Sequence, residues 1–214
     1  MTRRYLIDEP PPALMVITDT TVAPMDVWEE RLEQLLSQAR PRSVLVQLRD
    51  LTLPVRERFA FAKRLVAICR RHEQWFSVND RLDLALLLDA DSVHLGERSL
   101  APADARTVLP RAFISHACHD VEGVFVPGSN AAVLSPIMAA RKGRVALGAD
   151  GVRRARAEIE RRGAALGLYA LGGVDDENAA ACVAAGATGV AVVGAAVRTD
   201  TPVILVRALR LDRH

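Results

Sequence analysis

Residues 166–197 read LGLYALGGVDDENAAACVAAGATGVAVVGAAV. Two short apolar runs, 166–171 and 188–193, enclose a longer segment that begins with two aspartates and ends at Gly186. Short runs that are apolar on both faces are typical of buried parallel strands, and a segment with an acidic start and a glycine end is typical of a helix. The stretch therefore predicts a strand–helix–strand unit with parallel strands.

The same alternation extends over most of the chain. Six further apolar runs precede this unit, at 13–18, 43–48, 75–78, 91–95, 112–116 and 131–135. Helical patterns lie between them at 26–39, 54–71, 80–89, 102–109 and 150–162. Eight strands that alternate with helices predict an α/β fold, a single-domain (β/α)8 TIM barrel. The segment 119–130 holds two glycines and a proline, so we expect its helix to be short or missing.

A doubly wound open sheet is the rival architecture. Such sheets place a glycine-rich turn after the first strand. Here the first apolar run is followed by aspartate and threonine, with no GxGxxG pattern. The barrel accounts for the pattern better, and we expect it to span 13–214. It follows an N-terminal arm at 1–12, whose consecutive prolines disfavour both a helix and an inner strand.

Composition excludes several classes of protein. Half of the 214 residues are apolar and a quarter are charged, a ratio typical of globular domains. The net charge of +2 is too small to indicate a nucleic-acid or membrane surface. No apolar run reaches the roughly 18–20 residues of a membrane span. Three scattered cysteines, Cys69, Cys118 and Cys182, lack metal-binding spacing. We expect a cytoplasmic protein with neither a nucleic-acid nor a membrane partner.

Glycines follow the last two predicted strands. Gly172 and Gly173 come directly after the seventh run, and Gly194 follows Val193 at the end of the eighth. The loops after strands seven and eight of such barrels often bind phosphate through backbone N–H groups, and glycine lets the backbone approach the anion. The sequence therefore predicts a phosphate site. The structural alternative is a tight turn at the first pair and close helix packing at Gly194.

Polar side chains follow the second and third strands. Gln47 and Arg49 are two residues apart and therefore share one face of their strand. Arg49 is a candidate anion ligand, with an ion pair to Asp19 or Asp80 as the structural alternative. Asn79 and Asp80 stand at the start of a predicted helix. Asp80 is therefore either a helix N-cap or a ligand of a divalent cation and its phosphate.

Other side chains near the predicted mouth can move protons or carry charge. His119 follows the fifth strand and is the candidate for proton transfer near neutral pH, whereas His94 and His116 are more typical of hydrogen-bonded structure. Cys118 precedes His119, but adjacent residues point to different sides, which disfavours a thiol nucleophile. Lys142, one of two lysines, lies in the long loop after strand six, either as a lid cation or as a solvated charge.

Five stretches of the sequence resemble the thiamine phosphate synthase/TenI family. They are VITD at 16–19, VQLRD at 46–50, NDRLDLALLLDADSVHLG at 79–96, LSPI at 134–137 and LGGVDDENAAACVAAGATGVAVVGA at 171–195. The resemblance implies a (β/α)8 barrel. For the synthase it implies that an aminopyrimidine pyrophosphate loses pyrophosphate with the help of magnesium and that a thiazole phosphate nitrogen captures the carbocation. For the TenI branch it implies a histidine that moves a proton on a thiazole carboxylate phosphate.

The match to the family is partial at the residues that the resemblance assigns to pyrophosphate. Gln47 and Arg49 match the family's Gln-x-Arg-x-Lys, but Leu51 stands in the place of the lysine. Asn79 and Asp80 match the Asn-Asp pair that the resemblance places at pyrophosphate and magnesium.

The loops after strands four to six depart further from the family. The second magnesium carboxylate falls on Ser99, and the serine expected after strand five falls on Ala117. The histidine two residues further on is kept as His119. The Thr-x-Thr-Lys of the strand-six loop becomes ARKG at 140–143, so Lys142 matches only if the loop shifts by one residue.

The sequence thus resembles a degenerate member of this family. The resemblance implies a thiamine phosphate synthase-like transferase that acts on small phosphorylated heterocycles. Its catalytic residues would be Arg49, His119 and Lys142. Its substrate-binding residues would be Gln47, Arg49, Asn79, Gly172, Gly173, Val193 and Gly194. Asp80 would hold Mg²⁺, although a single carboxylate is a weak magnesium site.

Two alternatives stay open, because the lost cations and carboxylate would slow the release of pyrophosphate. One is a TenI-like thiazole tautomerase that uses His119. The other is a relative that binds a phosphate ligand without catalysis. A homodimer is also left open.

Overall fold

Eight parallel strands form a closed barrel in the computed structural model, which describes residues 10–141, 143–198 and 201–213. Each strand pairs with the next along the chain, and β8 pairs with β1, with Val190 opposite Leu14. The strands are β1 Leu14–Ile17, β2 Val44–Leu48, β3 Trp75–Asn79, β4 Ser92–Leu95, β5 Phe113–Cys118, β6 Ala131–Leu134, β7 Gly167–Leu171 and β8 Gly189–Val192. The predicted (β/α)8 barrel is confirmed.

Helices connect successive strands on the outside of the barrel. They are α1 Met25–Gln38, α2 Val55–Arg71, α3 Leu82–Leu87, α4 Pro102–Val108, α5 Gly148–Arg161, α6 Ala179–Ala184 and α7 Thr201–Ala208. The link between β5 and β6 holds only one 3-10 turn, Glu122–Val124, as its glycines and proline predict. A second 3-10 turn, Gly194–Val197, follows β8. Among the described residues, no helix combines the length and the apolar character needed to cross a bilayer.

The last helix before β8 begins later than the sequence pattern predicts. The pattern places its start at Asp175, whereas α6 starts at Ala179. The reason is a turn in which the backbone N–H of Asp175 donates to Asn178 Oδ1 and that of Glu177 donates to Asp175 Oδ1. These side-chain bonds compete with the helix for the same backbone groups. Gly186, with a φ of +104°, follows the helix end as predicted.

Buried side chains fill the interior of the barrel. They include Met15, Ile17, Leu45, Trp75, Phe113, Val133 and Tyr169. The rings of Trp75 and Phe113 meet edge to face, with centroids 5.8 Å apart. A second, larger core packs the helices against the outer face of the strands. Because the interior is occupied by side chains, a ligand has room only above them, at the carboxyl ends of the strands.

The arm predicted at 1–12 falls mostly on residues 1–9, which lie outside the described residues. Pro12 is described, and its carbonyl accepts a hydrogen bond of 2.6 Å from the Tyr169 hydroxyl. This contact ties the start of β1 to β7 across the barrel. The division into an arm and a barrel domain stays a prediction.

Closure of the barrel leads to a test of stability at β8. A Cβ added to Gly189 would lie 2.3 Å from the Ala13 carbonyl oxygen, whereas one added to Gly194 would meet nothing within 4 Å. We expect Gly189→Ala to lower the free energy of unfolding by about 1–3 kcal/mol, because the seam between β8 and β1 must open. The matched Gly194→Ala should stay within about 0.5 kcal/mol of the wild type. Urea unfolding followed by tryptophan fluorescence measures both, and equal losses would contradict this account.

Candidate functional site

A cavity of about 550 Å³ opens at the carboxyl ends of the strands. The predicted site residues on its wall are Arg49, Asn79, Asp80, His119, Gly172 and Val193. Gln47, Gly173 and Gly194 are not part of the wall, and Lys142 lies outside the described residues. The wall also includes three positions where the sequence departs from the family, Leu51, Ser99 and Ala117. The structure thus gathers residues that are far apart in sequence around one concave surface.

The Asp80 carboxylate is turned toward this cavity and does not cap a helix. Helix α3 begins at Leu82 without a side-chain cap, so the N-cap alternative is wrong. Asp80 Oδ1 accepts hydrogen bonds from the backbone N–H of Gly96, at 3.0 Å, and from the Ser99 hydroxyl. Oδ2 accepts a bond of 2.7 Å from Asn79 Nδ2. A φ of +61° at Asp80 turns the chain away from the helix and produces this orientation.

Gln47 lies beside Asn79 and orients it. Gln47 Nε2 donates to Asn79 Oδ1 at 3.1 Å, and only 1% of Gln47 is exposed. Together with the bond to Asp80, this contact fixes which end of the Asn79 amide carries oxygen. Gln47 Oε1 is buried and accepts no hydrogen bond within the described part of the chain. A buried acceptor of this kind is costly unless a donor reaches it.

Arg49 is held by an ion pair to Asp19, one of the two partners that the sequence offered. One guanidinium nitrogen lies 2.8 Å from Asp19 Oδ2. Burial disfavours the charged form of Asp19, but hydrogen bonds from Thr21 and the Arg49 guanidinium outweigh it and lower the pKa of the Asp19 carboxyl. Arg49 keeps part of its side chain on the cavity wall, so the ion pair and an anion-binding role are compatible.

His119 is oriented by two neighbours from adjacent loops. Its Nδ1 lies 2.7 Å from the Ser135 carbonyl oxygen, which can only accept, so Nδ1 carries hydrogen. In the neutral imidazole, Nε2 is then the basic nitrogen. This atom lies 3.6 Å from a Glu97 carboxylate oxygen, and Glu97 pairs with Arg144 at 3.2 Å. Sequence reasoning missed Glu97 and Arg144, because 47 residues separate these partners and no local pattern signals the contact.

The two glycines after β7 form a tight turn, which is the structural alternative that the sequence left open for them. Gly172 and Gly173 have φ values of +99° and +73°, which favour glycine. A Cβ at Gly173 would lie 2.6 Å from that of Ala139, in the loop after β6. The same loop donates the N–H groups of Met138 and Ala139 to the Gly172 carbonyl oxygen. These glycines are therefore required by close packing, whether or not an anion binds.

The amides of the predicted phosphate site are nevertheless free to act as donors. Among the described residues, the N–H groups of Gly172, Gly173 and Gly194 donate to no acceptor of the protein. Gly194 begins a 3-10 turn, and no neighbouring atom approaches its Cβ position. Close helix packing is therefore not the reason for Gly194. Backbone amides at the start of a helical turn that have no acceptor within the protein can bind an anion.

Burial and hydrogen bonds hold the remaining candidates, of which His94 also lies on the cavity wall. Burial lowers the pKa of His94 to about 4, and its Nδ1 lies 2.9 Å from Ser115 Oγ. Burial also lowers the pKa of His116, which contacts Ser129. The Cys118 thiol is buried, which raises its pKa to about 11, so it is a poor nucleophile at neutral pH.

The donor set does not fit a magnesium ion well. In the described ranges, no three His, Cys, Asp or Glu side chains come together as a metal site. The cavity wall carries two carboxylates, Asp80 and Glu97. Asp80 already accepts three hydrogen bonds, and Glu97 pairs with Arg144. Magnesium is usually held by one or two carboxylates together with water and substrate phosphates, and both carboxylates here already have protein partners.

Comparison with known proteins assigns the chain to a family. Residues 14–196 match the model of a family described as thiamine monophosphate synthase. The thiamine-phosphate synthase of Gloeobacter violaceus is 35% identical over 206 residues, which cover 94% of this chain and 54% of that protein. The chain thus spans about half the length of that relative. The thiamine-phosphate synthase of Chlorobium luteolum is 32% identical, with 92% of this chain and 91% of that protein covered.

A solved structure supports the same relationship. The thiamine phosphate pyrophosphorylase of Pyrococcus furiosus superimposes with a TM-score of 0.76 at 25% sequence identity. The superposition covers 92% of this chain and 95% of that one.

The buried His94 predicts a loss of stability in mild acid. Its pKa of about 4 in the folded protein lies below the ordinary 6.5, so between these values the unfolded chain binds a proton that the folded chain does not. Stability is therefore full above pH 6.5 and falls as the pH decreases, by about 2 kcal/mol at pH 5 from this group. In His94→Gln, which keeps a polar group near Ser115, the decrease between pH 7.5 and pH 5 should be smaller by that amount. Urea unfolding at both pH values measures it, and an unchanged decrease would refute the assignment.

Proposed function

The chain belongs to the thiamine monophosphate synthase family, and from this membership we propose that it is a transferase of thiamine biosynthesis that joins an aminopyrimidine pyrophosphate to a thiazole phosphate. In this reaction the C–O bond between the pyrimidine's methylene carbon and pyrophosphate breaks, and both electrons leave with pyrophosphate. The lone pair of the thiazole nitrogen forms the new C–N bond, and the positive charge ends on the thiazolium ring.

The observation that carries this proposal is the convergence of two anion-binding groups on one cavity. Arg49 and Asn79 lie on the wall after β2 and at the end of β3, and Gly172 and Val193 lie after β7 and β8. The first group suits the pyrophosphate and the second the thiazole phosphate. A volume of about 550 Å³ is in the range of cavities that hold small ligands. Two phosphorylated substrates would thus meet with their reacting atoms between these groups.

The residues near the pyrophosphate would stabilise negative charge as it develops. Arg49 is fixed by Asp19, and Asn79 is fixed by Gln47 and Asp80, so their donors need little rearrangement.

Two further residues complete the proposed catalytic set. His119 presents Nε2 toward the cavity and would exchange a proton with a phosphate oxygen. Lys142 stays part of the proposal as a lid cation, since its neighbours Arg141 and Arg144 lie on the wall.

Other parts of the proposal concern the setting of the reaction. Cys69, Cys118 and Cys182 are all buried and free, as suits the reducing cytoplasm. The homodimer stays a proposal that light scattering can test.

An assay with both substrates tests the synthase directly. We expect the wild type to release pyrophosphate and form the coupled product, and Arg49→Ala to lose about 10²–10³-fold in kcat/KM, because one preorganised charge contact is removed. The control is Arg161→Ala, which removes an exposed arginine at the far end of α5 and should leave the rate unchanged. Absence of pyrophosphate release by the wild type, both with Mg²⁺ and with EDTA, would rule out the synthase.

The orientation of His119 supports thiazole tautomerisation as a second candidate function. Because Nδ1 is bonded to a carbonyl, Nε2 can take a proton from a thiazole carboxylate phosphate at one ring position and return it at another. We expect this activity to proceed in EDTA and to fall by about 10²–10⁴-fold in His119→Asn. Arg49→Ala serves as the comparison, since it should affect the synthase more than the tautomerase. Tautomerase activity that survives His119→Asn unchanged would eliminate this role.

A further inference from the structure

We propose that this chain holds the leaving pyrophosphate with arginine side chains rather than through a magnesium ion. The inference rests on the proposed function, because pyrophosphate is the group that the proposed reaction releases. It concerns the residues after β2, β4 and β6, where the sequence departs from the family. We call Arg98 and Arg141, on the cavity wall, the rim arginines.

The Asp80 carboxylate already accepts several hydrogen bonds from the protein. An ionised carboxylate offers about four lone-pair positions, and Asp80 uses three of them for the donors of Asn79, Gly96 and Ser99. The Ser99 hydroxyl directs its hydrogen at Asp80, at the position that the resemblance assigns to a second magnesium carboxylate. A cation bound to Asp80 would have only the one remaining position, unless it displaced one of these donors. The site is therefore satisfied as a hydrogen-bonded anchor.

The cavity wall carries more positive than negative side chains. Four arginines, Arg49, Arg98, Arg141 and Arg144, face two carboxylates, Asp80 and Glu97. An excess of positive charge lets a multiply charged anion bind without a metal, whereas a magnesium ion between protein and pyrophosphate is held by one or two carboxylates.

Two of the four arginines on the wall form ion pairs within the described part of the chain, and the other two do not. Arg49 pairs with Asp19, and Arg144 pairs with Glu97. The rim arginines form no ion pair with any described residue and are largely exposed, one after β4 and the other after β6. Their planar guanidinium groups can bind phosphate oxygens in a bidentate manner. Two free cations on different loops suit the two ends of a pyrophosphate.

Leu51 occupies a position on the cavity wall where a cation is expected. It lies on the wall where the resemblance expects a lysine, and it is 56% exposed. The loop after β2 has thus lost a cation, while the loop after β4 presents Arg98 next to Ser99. Positive charge is present at the mouth, but it comes from the loops after β4 and β6.

Calorimetry with inorganic pyrophosphate tests the proposal without any need for turnover. We expect the wild type to bind pyrophosphate in EDTA, with less than about a threefold change in Kd when Mg²⁺ replaces EDTA. The double variant Arg98→Gln/Arg141→Gln should bind at least about tenfold more weakly in EDTA, because two charge-assisted contacts are lost. The control variant is Arg161→Gln, which should bind as the wild type does.

The variant Ser99→Asp tests the converse. It places a second carboxylate beside Asp80, so we expect weaker binding of pyrophosphate in EDTA and at least about tenfold tighter binding when Mg²⁺ is added. Thermal unfolding of each variant establishes that it is folded before it is titrated. If Ser99→Asp does not fold, the double variant and the wild type decide the matter.

Three results would overturn the proposal. They are wild-type binding that needs Mg²⁺, no wild-type binding in either condition, and a double variant that binds as tightly as the Arg161→Gln control. The failure of the proposed function looks different. Binding in EDTA without turnover of the two substrates would reject the synthase and keep the arginine site. Turnover with a strict need for Mg²⁺ would keep the synthase and reject the arginine site.

Discussion

The pairing of β8 with β1 is the constraint on which the rest of this structure depends. Closure makes all eight strands parallel in one ring, so that their carboxyl ends meet at a single rim. The seam is tight, because Gly189 lies against the Ala13 carbonyl and leaves no space for a side chain. Below the rim, rings such as those of Trp75 and Tyr169 fill the interior. The residues that end each strand are therefore brought together above a packed core, although the chain separates them by tens of residues.

At the rim, short-range polar contacts fix the side chains that the barrel has gathered. The Asp80 carboxylate joins Asn79 to the loop that carries Ser99, and His119 is held by the Ser135 carbonyl beside the pair of Glu97 and Arg144. Partly exposed pairs of this kind add little to the free energy of folding, because water solvates the separated charges nearly as well. Their effect is positional. They hold donors and a basic nitrogen against the cavity, so less ordering is needed when a ligand binds.

Much of this arrangement follows from the sequence, because a parallel strand buried on both faces and the helix after it each have a clear pattern. The ends of the strands then locate the rim, and with it Arg49, His119 and Gly172. The role of Asp80 does not follow, since a carboxylate after a strand can cap a helix or face a ligand, and the choice depends on a φ of +61°. The contact of Glu97 with Arg144 is equally hidden, because it depends on how two loops fold over the mouth.

The departures from the family pattern are easier to understand together than one at a time. Without a metal, a second carboxylate beside Asp80 would repel pyrophosphate, whereas the Ser99 hydroxyl adds no charge and donates to Asp80. A lysine at the position of Leu51 would add a cation to a rim that already carries Arg98 and Arg141. The loss of one anion and the loss of one cation therefore leave the charge of the rim nearly the same and change only which groups supply it. Random substitution of the family's residues would not be expected to preserve an excess of arginines over carboxylates at the rim. Nor would it preserve a carboxylate at Asp80 whose hydrogen-bond donors are all in place.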